Sequence, residues 1–196
     1  MFKNQSYLSY KENIDFVKSC SNWKDLNNLS KKIYQKPLIF SEYSKRLNIV
    51  ENTMKEILCD DSWMGHCAKY QLHSGGKRFR ALLALISADL LGVDKNTANY
   101  AAVCSEFIHN ASLIHDDLQD RDLLRRGLPT IWNRFGDHTA INLGDYFIAG
   151  SFEALAKING NPHHKCKAIE NLSYTIQQTV KGQSLEILAR ANFNLK

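Results

Sequence analysis

Asp116, Asp117 and Asp120 crowd three carboxylates together, and Arg125 and Arg126 follow shortly after them. At about 3.6 residues per turn, the three acids fall within an arc of roughly 100° on one helix face. Carboxylates packed like that raise one another's pKa unless cations hold them. Mg²⁺ takes oxygen ligands and commonly sits between one or two carboxylates and a substrate's phosphates. Arginine forks suit phosphate oxygens. A metal-bridged diphosphate is the leading chemistry of this stretch. The competing reading is a solvated acidic helix end beside a basic loop, since charge runs are usually solvated faces.

Two further groups could take part. Lys77 and Arg80, spaced three apart, can share a face at a helix start, and Gly75-Gly76 just before them allows close backbone approach. By themselves they read equally as an ordinary basic cap. His109 lies two turns before Asp116, roughly 10 Å along a helix axis. A lone histidine on an apolar helix is more often a satisfied core residue.

These residues fall into a recognisable order. His115-Asp116-Asp117-Leu118-Gln119-Asp120 with Arg125-Arg126-Gly127 resembles the first aspartate-rich motif of the trans-isoprenyl diphosphate synthases, the polyprenyl synthetase family. Gly75-Gly76-Lys77-Arg78-Phe79-Arg80 is similar to the family's upstream GGKRxR segment, and Gly144-Asp145 and Gly182-Gln183 match two shorter marks. Singly, the short pairs carry nothing; in sequence the set is specific. The resemblance runs from about Tyr43 to the end of the chain and leaves residues 1–40 as an N-terminal extension.

The resemblance implies an all-α helical bundle of the isoprenoid synthase type, with residues 41–196 forming the N-terminal part of that domain. It implies Mg²⁺ held by Asp116 and Asp120, with Asp117 as a flanking ligand or orienter, so that Asp116, Asp117 and Asp120 are the catalytic carboxylates. Lys77, Arg80, His109 and Arg126 match the family's isopentenyl diphosphate pocket, and Arg125 matches the position holding the allylic diphosphate. Arg78 is expected to face solvent. Glu186 stands where the family usually has aspartate. Ala111 and Ser112 fall where bulky aromatics stop elongation in the family, so their small side chains imply geranylgeranyl or longer products. The family's second aspartate-rich motif and its Lys-Thr pair are not among the 196 residues, which implies a fragment or a split product.

The expected activity is therefore condensation of isopentenyl diphosphate with an allylic diphosphate to a longer trans-prenyl diphosphate, in a homodimer or heteromer. The alternative is a non-catalytic or split-subunit relative that binds a prenyl diphosphate or a partner chain. A terpene cyclase stands third, because the Lys77/Arg80/His109 set serves a second diphosphate that a cyclase does not need.

The elements that must position these groups are helical. Leu47, Val50, Met54 and Ile57 repeat at three and four residues. Helices are predicted over Arg78–Leu91, closed by Gly92, and Asn96–His115, then about His138–Ile158 and Lys165–Ala191, with a loop at Gly127 and Pro129 and a break at Pro37. No alternating strand pattern competes, and Trp132, Phe135, Tyr146 and Phe147 are assigned to packing.

Composition narrows the class. With 196 residues, 44% hydrophobic and 23% charged, the chain fits one domain with a real core. The net charge of +5 comes without the basic, aromatic-interleaved footprint that nucleic acid needs. The five cysteines, Cys20, Cys59, Cys67, Cys104 and Cys166, form no C-x-x-C pair or zinc spacing. They read as reduced thiols of a cytoplasmic protein. Met1–Phe16 has no apolar core of a secretory signal, and Ala81–Val93 is too short and too interrupted to span a bilayer.

Overall fold

The computed structural model describes residues 37–193; the expected N-terminal extension, apart from its last few residues, and Cys20 lie outside the described residues. Helix α1 (Pro37–Leu58) opens on a proline that was expected to break the chain. The first helical position tolerates proline, because its missing N–H is one that no helix bond would use. Val50, Met54 and Leu58 form the buried stripe of α1, and Leu47 and Ile57 pack beside it.

A helix that the periodicity did not announce, α2 (Trp63–His73), follows directly. Its inner face is built of Gly65, Cys67, Ala68 and Gln71, small or polar residues that carry little apolar pattern, with Leu72 as the one large apolar side chain. Its start is nonetheless local chemistry: the Ser62 hydroxyl accepts the Gly65 N–H as an N-cap.

Helix α3 (Phe79–Leu90) and helix α4 (Lys95–Asp120) come next, α4 capped by Asp94 accepting from Thr97 N–H. Helix α4 runs past the expected His115 and carries the aspartates within its final turns, ending at Arg121 in a left-handed conformation. The expected loop beyond it is a small hairpin, with β1 (Leu124–Arg125) antiparallel to β2 (Leu128–Pro129). Arg126 and Gly127 between them both have positive φ, 53° and 80°, which is the type I′ turn that two-residue hairpins favour.

Helices α5 (Ile131–Phe135), α6 (Asp137–Ala156) and α7 (Pro162–Phe193) complete the chain. Helix α4 lies at the centre, packed mainly against α6 and α3, and Phe107 on α4 meets Phe147 on α6 edge to face at 5.6 Å. Of the aromatics assigned to packing, Phe147 is fully buried, while Trp132, Phe135 and Tyr146 are partly buried against the core. Helix α7 joins the core through Ala168, Ile169 and Leu172; further along, Tyr174, Val180, Leu185 and Leu188 stay exposed. Cys59, Cys67, Cys104 and Cys166 are free thiols. No helix among the described residues is long and apolar enough to cross a membrane.

Candidate active site

The last three turns of α4 set out the acids as the spacing requires, with one difference. Asp116 and Asp120 are one turn apart and accessible, whereas Asp117 turns inward and is 2% exposed. A buried carboxylate needs a charged, hydrogen-bonded partner. Arg125 on β1 is that partner: its Nε donates to Asp117 Oδ1 at 2.7 Å, and its Nη2 pairs with the same oxygen at 2.5 Å. The hairpin turn is thus tied to α4 through the middle aspartate. Among the described residues no group of three or more His, Cys, Asp or Glu side chains converges to hold a metal.

The remaining pair carries the marks of a cation site. Burial, then the neighbouring Asp120 charge, push the Asp116 carboxyl above the usual carboxylate range, against the pull of Arg125. A divalent ion would relieve that repulsion, and two oxygen donors one turn apart suit Mg²⁺ completed by phosphates and water. The donor set fits.

Helix α7 closes over these acids with residues far away in sequence. Gln183 Nε2 donates to Asp116 Oδ1 and to Gln119 Oε1, both at 3.2 Å. Arg190 Nη1 donates to Asp120 Oδ1 at 2.8 Å, and its Nη2 pairs with Glu186. Arg190 was not singled out from the sequence; its place two turns after Gln183 on the same helix was the available signal.

His115 does not join the acids. Its Nε2 lies 3.3 Å from the Ile141 carbonyl and 3.9 Å from Asp145 on α6. Gly144 makes this possible: a Cβ there would sit 2.0 Å from the imidazole. The Gly144-Asp145 pair therefore marks the place where α6 crosses α4 closely enough to seat a histidine.

Two turns back along α4, arginines gather around His109. Burial comes first, then Arg80, Arg126, Arg125 and Arg78, in pushing the imidazole down to about 4, so that it is neutral at pH 7. Two separate segments, the start of α3 and the hairpin, supply that positive field. Lys77, Arg80 and Arg126 are all exposed and make no ion pair with another described residue. Cations gathered without a direct ion-pair partner are suited to an anionic ligand. Arg126 lies so close to the chain at Gly76 that a Cβ there would come within 2.8 Å of its Nη1, and Gly76 itself has φ +145°.

Arg78 departs from expectation. It does not face solvent but is buried, paired with Glu51 and Glu106.

The polyprenyl synthetase family model matches residues 61–196. A geranylgeranyl pyrophosphate synthase of Geoglobus acetivorans is 35% identical over 144 residues, covering 72% of this chain and 45% of that protein. Heptaprenyl diphosphate synthase component 2 of Bacillus subtilis is 33% identical over 156 residues, covering 79% and 43%. The crystal structure of geranylgeranyl pyrophosphate synthetase from Pyrococcus horikoshii superposes with a TM-score of 0.67 at 31% identity, over 74% of this chain and 45% of that one. The all-α architecture is thus that of the isoprenoid synthase fold, and the chain spans less than half the length of these relatives.

Proposed function

Starting from the fact that the chain belongs to the polyprenyl synthetase family, we propose that it provides the two diphosphate sites of a trans-prenyltransferase. The reaction is condensation of isopentenyl diphosphate with an allylic diphosphate. The observation that carries this reading is the pairing of two unlike sites on one helix. Asp116, its carboxyl raised by burial and by the neighbouring Asp120, invites a cation that would take the place of Arg190 on Asp120, and two turns away Arg80 and Arg126 add their charge around a neutral His109.

Each residue then has a role. Asp116 and Asp120 would hold Mg²⁺, which when bound neutralises the allylic diphosphate as its carbon–oxygen bond breaks. Asp117 fixes Arg125 through the buried pair, and the guanidinium's remaining donors face the same diphosphate. Lys77, Arg80, Arg126 and neutral His109 take the isopentenyl diphosphate, His109 offering one N–H without adding a charge to repel the arginines. Gln183 orients Asp116. Geranylgeranyl or longer products fit the small Ala111 and Ser112 on this helix. Four free thiols fit a cytoplasmic protein.

A second reading, a subunit of a heteromeric synthase, draws on the similarity to a protein named component 2. It leaves the roles above unchanged and adds a partner chain; a homodimer is the other assembly.

Isothermal titration with a non-ionisable allylic diphosphate analogue tests the metal site. Binding is expected with Mg²⁺ and is expected to vanish with chelator or in Asp116→Ala/Asp120→Ala. Affinity indifferent to both would end the metal-bridge reading.

A further inference from the structure

Beneath the proposed isopentenyl diphosphate site lie two buried ions with no part in the roles above, Arg78 at 7% exposure and Glu106 at 2%. Buried charges persist when paired and fully hydrogen-bonded. Arg78 is also the N-cap residue of α3, with φ 47° and ψ 38°. A left-handed backbone at a residue other than glycine persists where its surroundings over-determine it. Here they do: Arg78 Nε donates to Glu51 Oε1 at 2.9 Å, Nη2 donates to the Leu72 carbonyl at 3.1 Å, and Nη1 lies 3.9 Å from Glu106 Oε2.

Glu106 has a second task. Its Oε1 accepts the Ala81 N–H at 3.0 Å, one of the first-turn amides of α3 that lack a helical partner. As N-cap, Arg78 supplies no side-chain cap of its own, so a carboxylate from another helix does so. Glu106 stands one turn before His109 on α4, while Lys77 and Arg80 flank the left-handed turn. One carboxylate thus ties the segment bearing Lys77 and Arg80 to the helix bearing His109.

We infer that Glu106 and Arg78 are positioning residues that set the distance between Lys77/Arg80 and His109 to match a diphosphate. The inference rests on the function proposed above. Electrostatics alone predicts the opposite of positioning, which makes the point testable. Removing the Glu106 charge makes the pocket more positive and, by charge alone, tightens anion binding.

Glu106→Gln keeps the shape and an oxygen for Ala81 N–H but removes the charge opposite Arg78 Nη1, leaving Arg78 held only by Glu51 and the Leu72 carbonyl. Titration calorimetry with isopentenyl diphosphate is expected to show affinity weakened by about ten-fold, the scale on which displaced positioning groups are felt. Mg²⁺-dependent affinity for the allylic analogue is expected to hold within about two-fold, since Asp116 and Asp120 lie beyond the tie. Unchanged or tighter isopentenyl diphosphate binding overturns the inference, as does equal weakening of both ligands, which would mean a general packing defect. Should Glu106→Gln lose its helical circular dichroism, Glu51→Gln removes the outer, part-exposed partner of Arg78. It is expected to give the same selective loss, smaller in size; absence of that selectivity overturns the inference. If the unmutated chain binds the allylic analogue but no isopentenyl diphosphate, the positioning role falls while the metal site stands. If it binds neither, the proposed function falls and takes this inference with it.

Discussion

Arg125→Met isolates the contact that ties the hairpin to the aspartate helix. The substitution keeps much of the side-chain volume and removes both the Nε hydrogen bond and the Nη2 ion pair to Asp117 Oδ1. Asp117, 2% exposed, is left as a buried carboxylate without a cation. Removing one partner of a buried pair costs about 3–5 kcal/mol, and the 30% exposure of the Arg125 side chain argues for the lower end, ~3 kcal/mol. For a chain of this size each kcal/mol moves the melting midpoint by about 2–4 °C, so a fall of about 6–12 °C is expected at pH 7.5. The pH dependence gives a second handle. An orphaned buried carboxyl has its folded pKa raised above the unfolded value, so it is protonated and tolerated in acid and destabilises as pH rises. The gap between variant and parent is therefore expected to narrow as pH falls below about 5. Asp117→Asn/Arg125→Met, which has no charge to strand, is expected to recover part of the loss at neutral pH. Thermal melts followed by circular dichroism at pH 7.5 and 5, on all three proteins, decide the matter. A loss below about 1 kcal/mol, or a gap that does not change with pH, would refute the buried pair as the link between hairpin and helix.

Three further outcomes are expected. His109 should remain neutral down to about pH 4–5 by NMR titration, because burial and four arginines hold its pKa down to about 4. Since this folded value lies below the histidine norm of 6.5, its contribution to stability is complete above that pH and is lost as pH falls; added isopentenyl diphosphate should move the midpoint upward. Gly144→Ala places a Cβ 2.0 Å from His115 Nε2, so urea unfolding should register an overpacking loss of about 1–3 kcal/mol. Under the proposed function, Ser112→Phe in a chain extended with the C-terminal part that its relatives carry should shorten the product, read by chromatography of the dephosphorylated alcohols; an unchanged distribution would place the cavity floor elsewhere.

What the sequence by itself determined is whatever depends on spacing within one element. Asp116 and Asp120 share a face because four residues make about one helical turn, and His109 lies two turns from Asp116 for the same reason. The all-α class followed from apolar periodicity, which α1, α3 and α4 express in a buried stripe. Helix α2 escaped notice because it buries Gly65, Cys67, Ala68 and Gln71, residues that pack closely without registering as apolar.

Only the tertiary structure decided which partner each charge meets. Asp117 sits between Asp116 and Leu118 in sequence like any member of an acidic run, yet α4's packing turns it inward, where Arg125 reaches it across the hairpin. Arg78 reads as one more cation in Lys77-Arg78-Phe79-Arg80; its burial follows from Glu51 and Glu106, 27 and 28 residues away on other helices. Gln183 and Arg190 reach Asp116 and Asp120 from 67 and 70 residues off. Local spacing fixes an angle around a single helix axis. The partner across the gap depends on how whole helices cross, and that is set by core side chains remote from the charges themselves, down to a single missing Cβ at Gly144.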